Sequence, residues 1–164
     1  MERKIFLFLT IGIPGSGKSR WVKKFIEDEH HHNVHVISSD ALRKEITGIE
    51  QCIDPSQSKM IHRAERTKLQ EILKNPDYLH EPLIDIIIDA TNCEKEEWEE
   101  FAKFNPSLMI AKVFNRTVEQ SLQNQKNRER QVPEDVVKKH YNTLQNNLKY
   151  LPKYFNIIDF IPYD

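Results

Sequence analysis

Glycine is scarce in this chain, with four in 164 residues, and the formal net charge is only −1. With 24 Lys and Arg against 25 Asp and Glu, no overall field draws the protein to a polyanion. Any nucleic-acid contact must therefore come from a local basic patch. Cysteine is limited to Cys52 and Cys93, far apart and without metal-ligand or redox spacing. That excludes a disulfide framework and reads as the reduced thiols of a cytoplasmic protein. Long apolar runs are missing too. The opening "IFLFLTIGI" follows the basic start "MERK" in the manner of a signal peptide, yet nine residues are too few to span a bilayer. It leads straight into a glycine-rich motif, so a buried first strand is the better reading and no membrane partner is expected. The run His30 to His32, with Glu29 and His35 nearby, meets no metal-ligand spacing and reads as a solvated connection.

What is present is an alternation. Five apolar runs, Ile5 to Ile13, Val34 to Ile37, Leu83 to Ile88, Leu108 to Phe114 and Ile157 to Ile161, read as strands. Several are nearly continuous, as strands buried on both faces should be. Between them lie charged segments of helical character: Lys18 to Asp28, Asp40 to Thr47, Ser56 to Lys74, Glu94 to Lys103, Val118 to Arg128 and Glu134 to Leu148. Alternating strands and helices predict an α/β fold, a parallel sheet between helical layers, in one domain over 1–164.

Three of the four glycines, Gly12, Gly15 and Gly17, fall within six residues of "GIPGSGKS". The stretch matches G-x-x-x-x-G-K-[ST] in full, after an apolar strand and before the amphipathic "KSRWVKKFIED". Glycines let successive backbone N–H groups approach phosphate oxygens at the positive end of the following helix. Gly12, Pro14, Gly15, Ser16, Gly17, Lys18 and Ser19 are thus the expected binding set for a nucleoside triphosphate. Lys18 would reach the β- and γ-phosphates, and the Ser19 hydroxyl would join a Mg²⁺ shell. The guanine-reading N-K-x-D of GTPases is missing, and motor and transport ATPases usually run much longer. A small phosphotransferase fits best.

The acceptor side is sought after the second and third strands, whose C-terminal ends face the ligand crevice of such a sheet. "VISSDALR" sets Asp40 near the γ-phosphate, able to accept a proton from an attacking hydroxyl, and Arg43 one turn on, suited to an acceptor phosphate. The bland alternative is a helix-capping aspartate with a surface ion pair. "IIIDATN" ends a strand with Asp89 in the position of a Mg²⁺-assisting carboxylate, or, alternatively, of a contact to the acceptor. Thr91 and Asn92 follow as acceptor contacts, or, for Thr91, as a helix cap. In "NQKNRERQVPEDV", Arg128 and Arg130 precede Val132-Pro133. They read either as a solvated turn or as a lid over about residues 124–132 that brings an arginine onto the triphosphate. Lys59, His62, Arg63 and Arg66 recur at helical spacing opposite Met60, Ile61, Ala64 and Ile72, a solvated stripe or a nucleic-acid contact.

In order along Lys4 to about Tyr150, "GIPGSGKS", the D-x-x-R of "DALR", "DATN" and an arginine lid ending in "VPEDV" resemble the kinase domain of the bacteriophage polynucleotide 5′-hydroxyl kinase family. The resemblance implies ATP-dependent phosphorylation of a 5′-OH end of DNA or RNA. It makes Asp40 the general base, Arg43 the binder of the acceptor's 3′-phosphate and Arg128 the lid arginine. It also implies a P-loop kinase sheet of order 2-3-1-4-5. The chain departs from the family where "QNQKN" replaces an arginine and an Arg-Asn pair at the start of the lid, which keeps Arg130 a rival to Arg128. The family's better-known members carry an appended phosphatase domain, whereas this chain ends without one, so no phosphate-end healing is expected of it. The competing readings are a kinase for a nucleotide, sugar or nucleotide-sugar, and a non-catalytic ATP-binding adaptor.

Overall fold

The computed structural model describes residues 2–28, 33–49, 56–129 and 131–163. Five strands form one sheet: β1 (Lys4–Gly12), β2 (Asn33–Ser38), β3 (Leu83–Asp89), β4 (Leu108–Phe114) and β5 (Ile157–Phe160). All pairs are parallel and the order is β2-β3-β1-β4-β5. The stretch that resembled a signal peptide is the central strand. β1 and β3 are nearly continuous apolar runs because helices cover both of their faces.

The side chains of β1 divide the core. Leu7, Leu9 and Ile11 point to one face, with Ile84, Ile86 and Ile88 of β3 beside them. That face is covered by α2 (Ser39–Thr47), α3 (Ser56–Lys74), α4 (Lys95–Ala102) and α6 (Glu134–Asn147), through Leu42, Leu69, Trp98, Phe101 and Leu144. Phe8 points to the other face, with Ile87 and Ile110, under Val22 of α1 (Lys18–Asp28). Each fully buried isoleucine contributes about 2 kcal/mol of apolar transfer free energy. The expected doubly covered parallel sheet is therefore present. The covering is unequal, with α1 packed against the smaller cluster.

Most expected helices begin and end within two residues of their apolar patterns. The exception is α5 (Val118–Asn124), which stops four residues before Arg128. It opens on a capping box, in which Gln120 N–H donates to Thr117 Oγ1 and Thr117 N–H to Gln120 Oε1. A short α7 (Leu151–Tyr154) follows a 3-10 turn over Leu148–Tyr150 and leads into β5; four residues with Pro152 among them leave no periodic pattern in the sequence.

Only half of the basic stripe on α3, Lys59 and Arg63, is the solvated face that its spacing suggests. His62 Nδ1 lies 2.7 Å from Glu97 Oε1, and Arg66 lies 3.6 Å from the other oxygen of the same carboxylate. Burial alone would lower the His62 pKa, but the hydrogen bond and charge of Glu97 outweigh it and raise it. Half of the stripe thus binds α3 to the acidic α4. Met60, assigned to the apolar side, is exposed.

Candidate active site

Register brings the motifs together. Gly12 ends β1, and Ser38 of β2 pairs with Asp89 of β3, so "SSDALR" and "DATN" leave the sheet side by side at its C-terminal edge. Pro14, Gly15, Ser16, Gly17, Lys18, Ser19, Ser38, Ser39, Asp40, Asp89, Thr91, Gln125, Arg128 and Val132 line one cleft there.

The phosphate loop has its shape for two separate reasons. Gly15 has φ +76, and a Cβ on it would stand 2.8 Å from the Ser121 carbonyl, so both the turn and the approach of α5 require glycine. Gly12 has no such φ; a Cβ there would meet Ser16 Oγ at 2.6 Å and Phe114 at 3.0 Å. It lets the loop lie flat on β4.

Lys18 is buried, and its Nζ donates to the Ile13 carbonyl at 2.8 Å and to Ser16 Oγ at 3.3 Å. Burial pushes its pKa down to about 8, while Asp89 and Asp40 oppose the shift and Arg128 adds to it. A cation held out of water with two neutral acceptors is suited to an anion. Ser19 Oγ donates to Asp89 Oδ2 at 3.3 Å. Burial raises the Asp89 pKa, and Lys18 and the Ser19 hydroxyl partly offset this. A hydroxyl and a carboxylate side by side are hard oxygen donors of the kind Mg²⁺ takes, so the residues fit both a triphosphate and its metal ion.

Asp40 does not cap α2. Ser38 does, its side chain accepting from Ala41 N–H, and Asp40 sits within the first turn. Arg43 Nη1 donates to Asp40 Oδ1 at 3.0 Å, so the ion pair expected of the bland alternative is present; Asp40 lines the phosphate cleft, and Arg43 stands behind it, outside the lining. The Asp40 side chain is 48% exposed and that of Arg43 13%.

Thr91 also lines the cleft and caps no helix, since Glu94 holds that position on α4. Asn92 is not available to a substrate. It is buried with φ 47, and its Nδ2 donates to the Thr10 and Ile88 carbonyls at 2.8 and 3.1 Å. Its own carbonyl accepts from Trp98 Nε1 at 2.7 Å. It shapes the turn that presents Asp89.

Arg128 is exposed and lines the cleft from the far side, in an irregular turn rather than on a helix. Arg130, Cys52 and the His30 to His32 run lie outside the described residues. Three residues with no motif to mark them complete the site. Ser121 Oγ donates to the Pro14 carbonyl, Asn124 Nδ2 donates to the Gly15 carbonyl at 2.9 Å, and Gln125 holds Val132. Their i, i+3, i+4 spacing is the signal that marks one polar face of α5.

The structure is similar to a chain of the Pnkp1/Rnl/Hen1 RNA repair complex, with a TM-score of 0.72 at 22% identity, covering 92% of this chain and 47% of that one. A chain of a second Pnkp1/Rnl/Hen1 complex matches at 0.59 and 23%, covering 81% and 42%. This chain thus spans about half the length of both. A gluconokinase from Sinorhizobium meliloti 1021 follows with a TM-score of 0.62 at 13% identity, over 99% of this chain and 86% of that one. Shikimate kinase from Acinetobacter baumannii in complex with shikimate gives 0.58 at 12%, over 97% and 83%. At these identities the likeness concerns the fold, which is that of a P-loop kinase, in agreement with the resemblance read from the motifs. Among the described residues no helix is long and apolar enough to cross a membrane. The family profile described as "AAA domain" matches residues 7–151, nearly the whole chain. The chain belongs to the AAA domain family.

Proposed function

We propose that the protein transfers the γ-phosphoryl group of ATP to the 5′-hydroxyl end of DNA or RNA. The observation that carries the proposal is Asp40 on the lining of the cleft that contains Lys18, Ser19 and Asp89, with Arg43 bonded to it at 3.0 Å. In this reading Lys18 and the loop N–H groups hold the triphosphate, and Ser19 with Asp89 would hold Mg²⁺. The ion, when bound, supplies positive charge to the phosphate oxygens. Asp40 takes the proton of the attacking hydroxyl as the new P–O bond forms and ADP departs with the electrons of the broken one. Arg43 grips the acceptor's 3′-phosphate as a bidentate fork, exchanging part of its contact with Asp40 for it. Arg128, on the lid of residues 124–132, adds charge to the transferring group.

Two observations favour a smaller acceptor as the second reading. The fold neighbours include shikimate kinase and a gluconokinase. The α3 stripe, tied half into Glu97, gives a polynucleotide no clear track.

The test is transfer of label from γ-labelled ATP with Mg²⁺ to 5′-OH oligonucleotides, 3′-phosphorylated nucleosides, free nucleosides and sugars. Label on the first two, with Arg43→Ala far more damaging there than on any acceptor without the phosphate, is the expected result. Label confined to sugars or free nucleosides overturns the reading.

A further inference from the structure

Arg128 is exposed and belongs to no helix or strand, yet catalysis by a lid arginine needs a fixed position. We infer that Gln125 is the positioning residue that holds the Arg128 turn against the phosphate loop, an inference that rests on the role of Arg128 proposed above.

The Gln125 side chain is buried beneath the turn, with only 3% of the residue exposed. Its Nε2 donates to the Val132 carbonyl at 2.9 Å, and its Oε1 accepts from Val132 N–H at 3.1 Å. One side-chain amide thus pairs with both backbone groups of a single residue, as a neighbouring strand would, and staples the two ends of the 125–132 segment. Inside the staple, Arg128 N–H donates to the Gln125 carbonyl at 3.1 Å. A second tie runs from Gln131 Nε2 to the Lys126 carbonyl at 3.0 Å.

The helix that carries the staple is itself fixed to the phosphate loop. Ser121 bonds the Pro14 carbonyl, and Asn124, next to Gln125, bonds the carbonyl of Gly15. The last turn of α5 and its C-capping Gln125 therefore grip the loop that would hold the triphosphate and the base of the turn that carries the arginine. On the other side, Pro133 follows Val132 at the N-cap of α6, so the far end of the staple is anchored as well. The chemistry demands an uncharged amide of glutamine length. Glutamate keeps the acceptor but sets a second oxygen against the Val132 carbonyl, and alanine removes both bonds.

Two readouts test this. Lys126 and Arg128 are trypsin sites inside the staple, and nicking follows the population of the open turn when closing is fast. Gln125→Ala should be nicked about tenfold faster than wild type for the loss of two buried hydrogen bonds. Gln125→Glu, which keeps one bond but turns a buried carboxylate oxygen onto the Val132 carbonyl, should also be nicked faster than wild type. The second readout is a double-mutant cycle in kcat, scored on oligonucleotide phosphorylation. Gln125→Ala should cost on the order of 10²-fold in kcat in the wild-type background, the scale of a displaced catalytic group. It should cost little in the Arg128→Ala background, because the group it positions is gone.

Nicking at the wild-type rate overturns the inference. So does an equal kcat loss with and without Arg128, or an Arg128→Ala enzyme of normal turnover. If no 5′-OH oligonucleotide accepts phosphate, the polynucleotide reading fails by itself, and the same cycle run on the slow hydrolysis of ATP still judges Gln125.

Discussion

At the scale of single residues, the site separates groups that carry chemistry from groups that shape it. Ser38, not Asp40, caps α2, so on the proposed role of Asp40 as general base Asp40→Asn should leave ATP affinity intact while slowing single-turnover transfer by about 10²–10⁴-fold. A loss of binding without a slower chemical step would make Asp40 a positioning residue. Lys18, pushed down to about 8 from 10.5, carries a prediction about protons. Near pH 8.5 much of it is uncharged without nucleotide, and a bound polyphosphate restores the charge. Nucleotide binding should therefore take up a proton, increasingly between pH 7.5 and 9, as read by calorimetry in buffers of different ionisation enthalpy. Absence of uptake at pH 9 would show that Lys18 stays charged throughout. Asn92→Ala should act on stability instead. It leaves the buried Thr10 and Ile88 carbonyls without the Asn92 amide, and it puts alanine at a left-handed φ. A loss of about 2–3 kcal/mol in denaturant titration is expected. The meeting of Lys18, Ser19, Asp40 and Asp89 in one cleft was legible in sequence because each stands at a set spacing from the end of a strand. The inward turn of Asn92 is not legible, because an amide turned inward and one turned outward look the same in sequence.

At the scale of elements, α5 is where the sequence was least informative. The strands were legible because burial on both faces leaves continuous apolar runs. The end of α5 was not, because no glycine or proline marks it; Gln125 stands at its C-cap and turns its amide onto Val132 seven residues on. What α5 does for the phosphate loop can be measured with two glycines. Gly15 and Gly17 both have positive φ, but a Cβ on Gly15 strikes the Ser121 carbonyl while one on Gly17 meets nothing within 4 Å. Gly17→Ala should cost the backbone strain, about 1–2 kcal/mol. Gly15→Ala should cost that plus about 1–3 kcal/mol of overpacking against α5. Equal melting temperatures for the two variants would mean that α5 yields freely and does not support the loop.

At the scale of the whole molecule, the packing of α3 and α4 against the sheet leaves one carboxylate at odds with its surroundings. Glu65 is 1% exposed, and neither of its oxygens has a hydrogen-bond partner among the described residues. Burial raises its pKa from 4.5 to about 7, with Glu97 adding to the shift and His62, Arg43 and Arg66 opposing it. Between these two values the folded chain holds a proton that the unfolded chain has released. Stability is therefore lost as pH rises through that window, by about 3 kcal/mol in full above pH 7. Glu65→Gln should be the more stable protein at pH 8, with the difference closing toward pH 5, as followed by urea titration; a difference constant with pH would refute the shift. The sheet also parts the chain's two tryptophans. Trp98 is wholly buried among α4, Tyr154 and Phe155, whereas Trp21 lies half-buried on α1 beside Phe25 and Phe114. Each layer thus contains its own intrinsic fluorophore, and replacing either by phenylalanine leaves an optical probe of the opposite layer. Emission melts of the two single-tryptophan proteins, once corrected for the cost of each substitution, would coincide if both layers unfold as one cooperative unit and separate if the α1 layer peels away first.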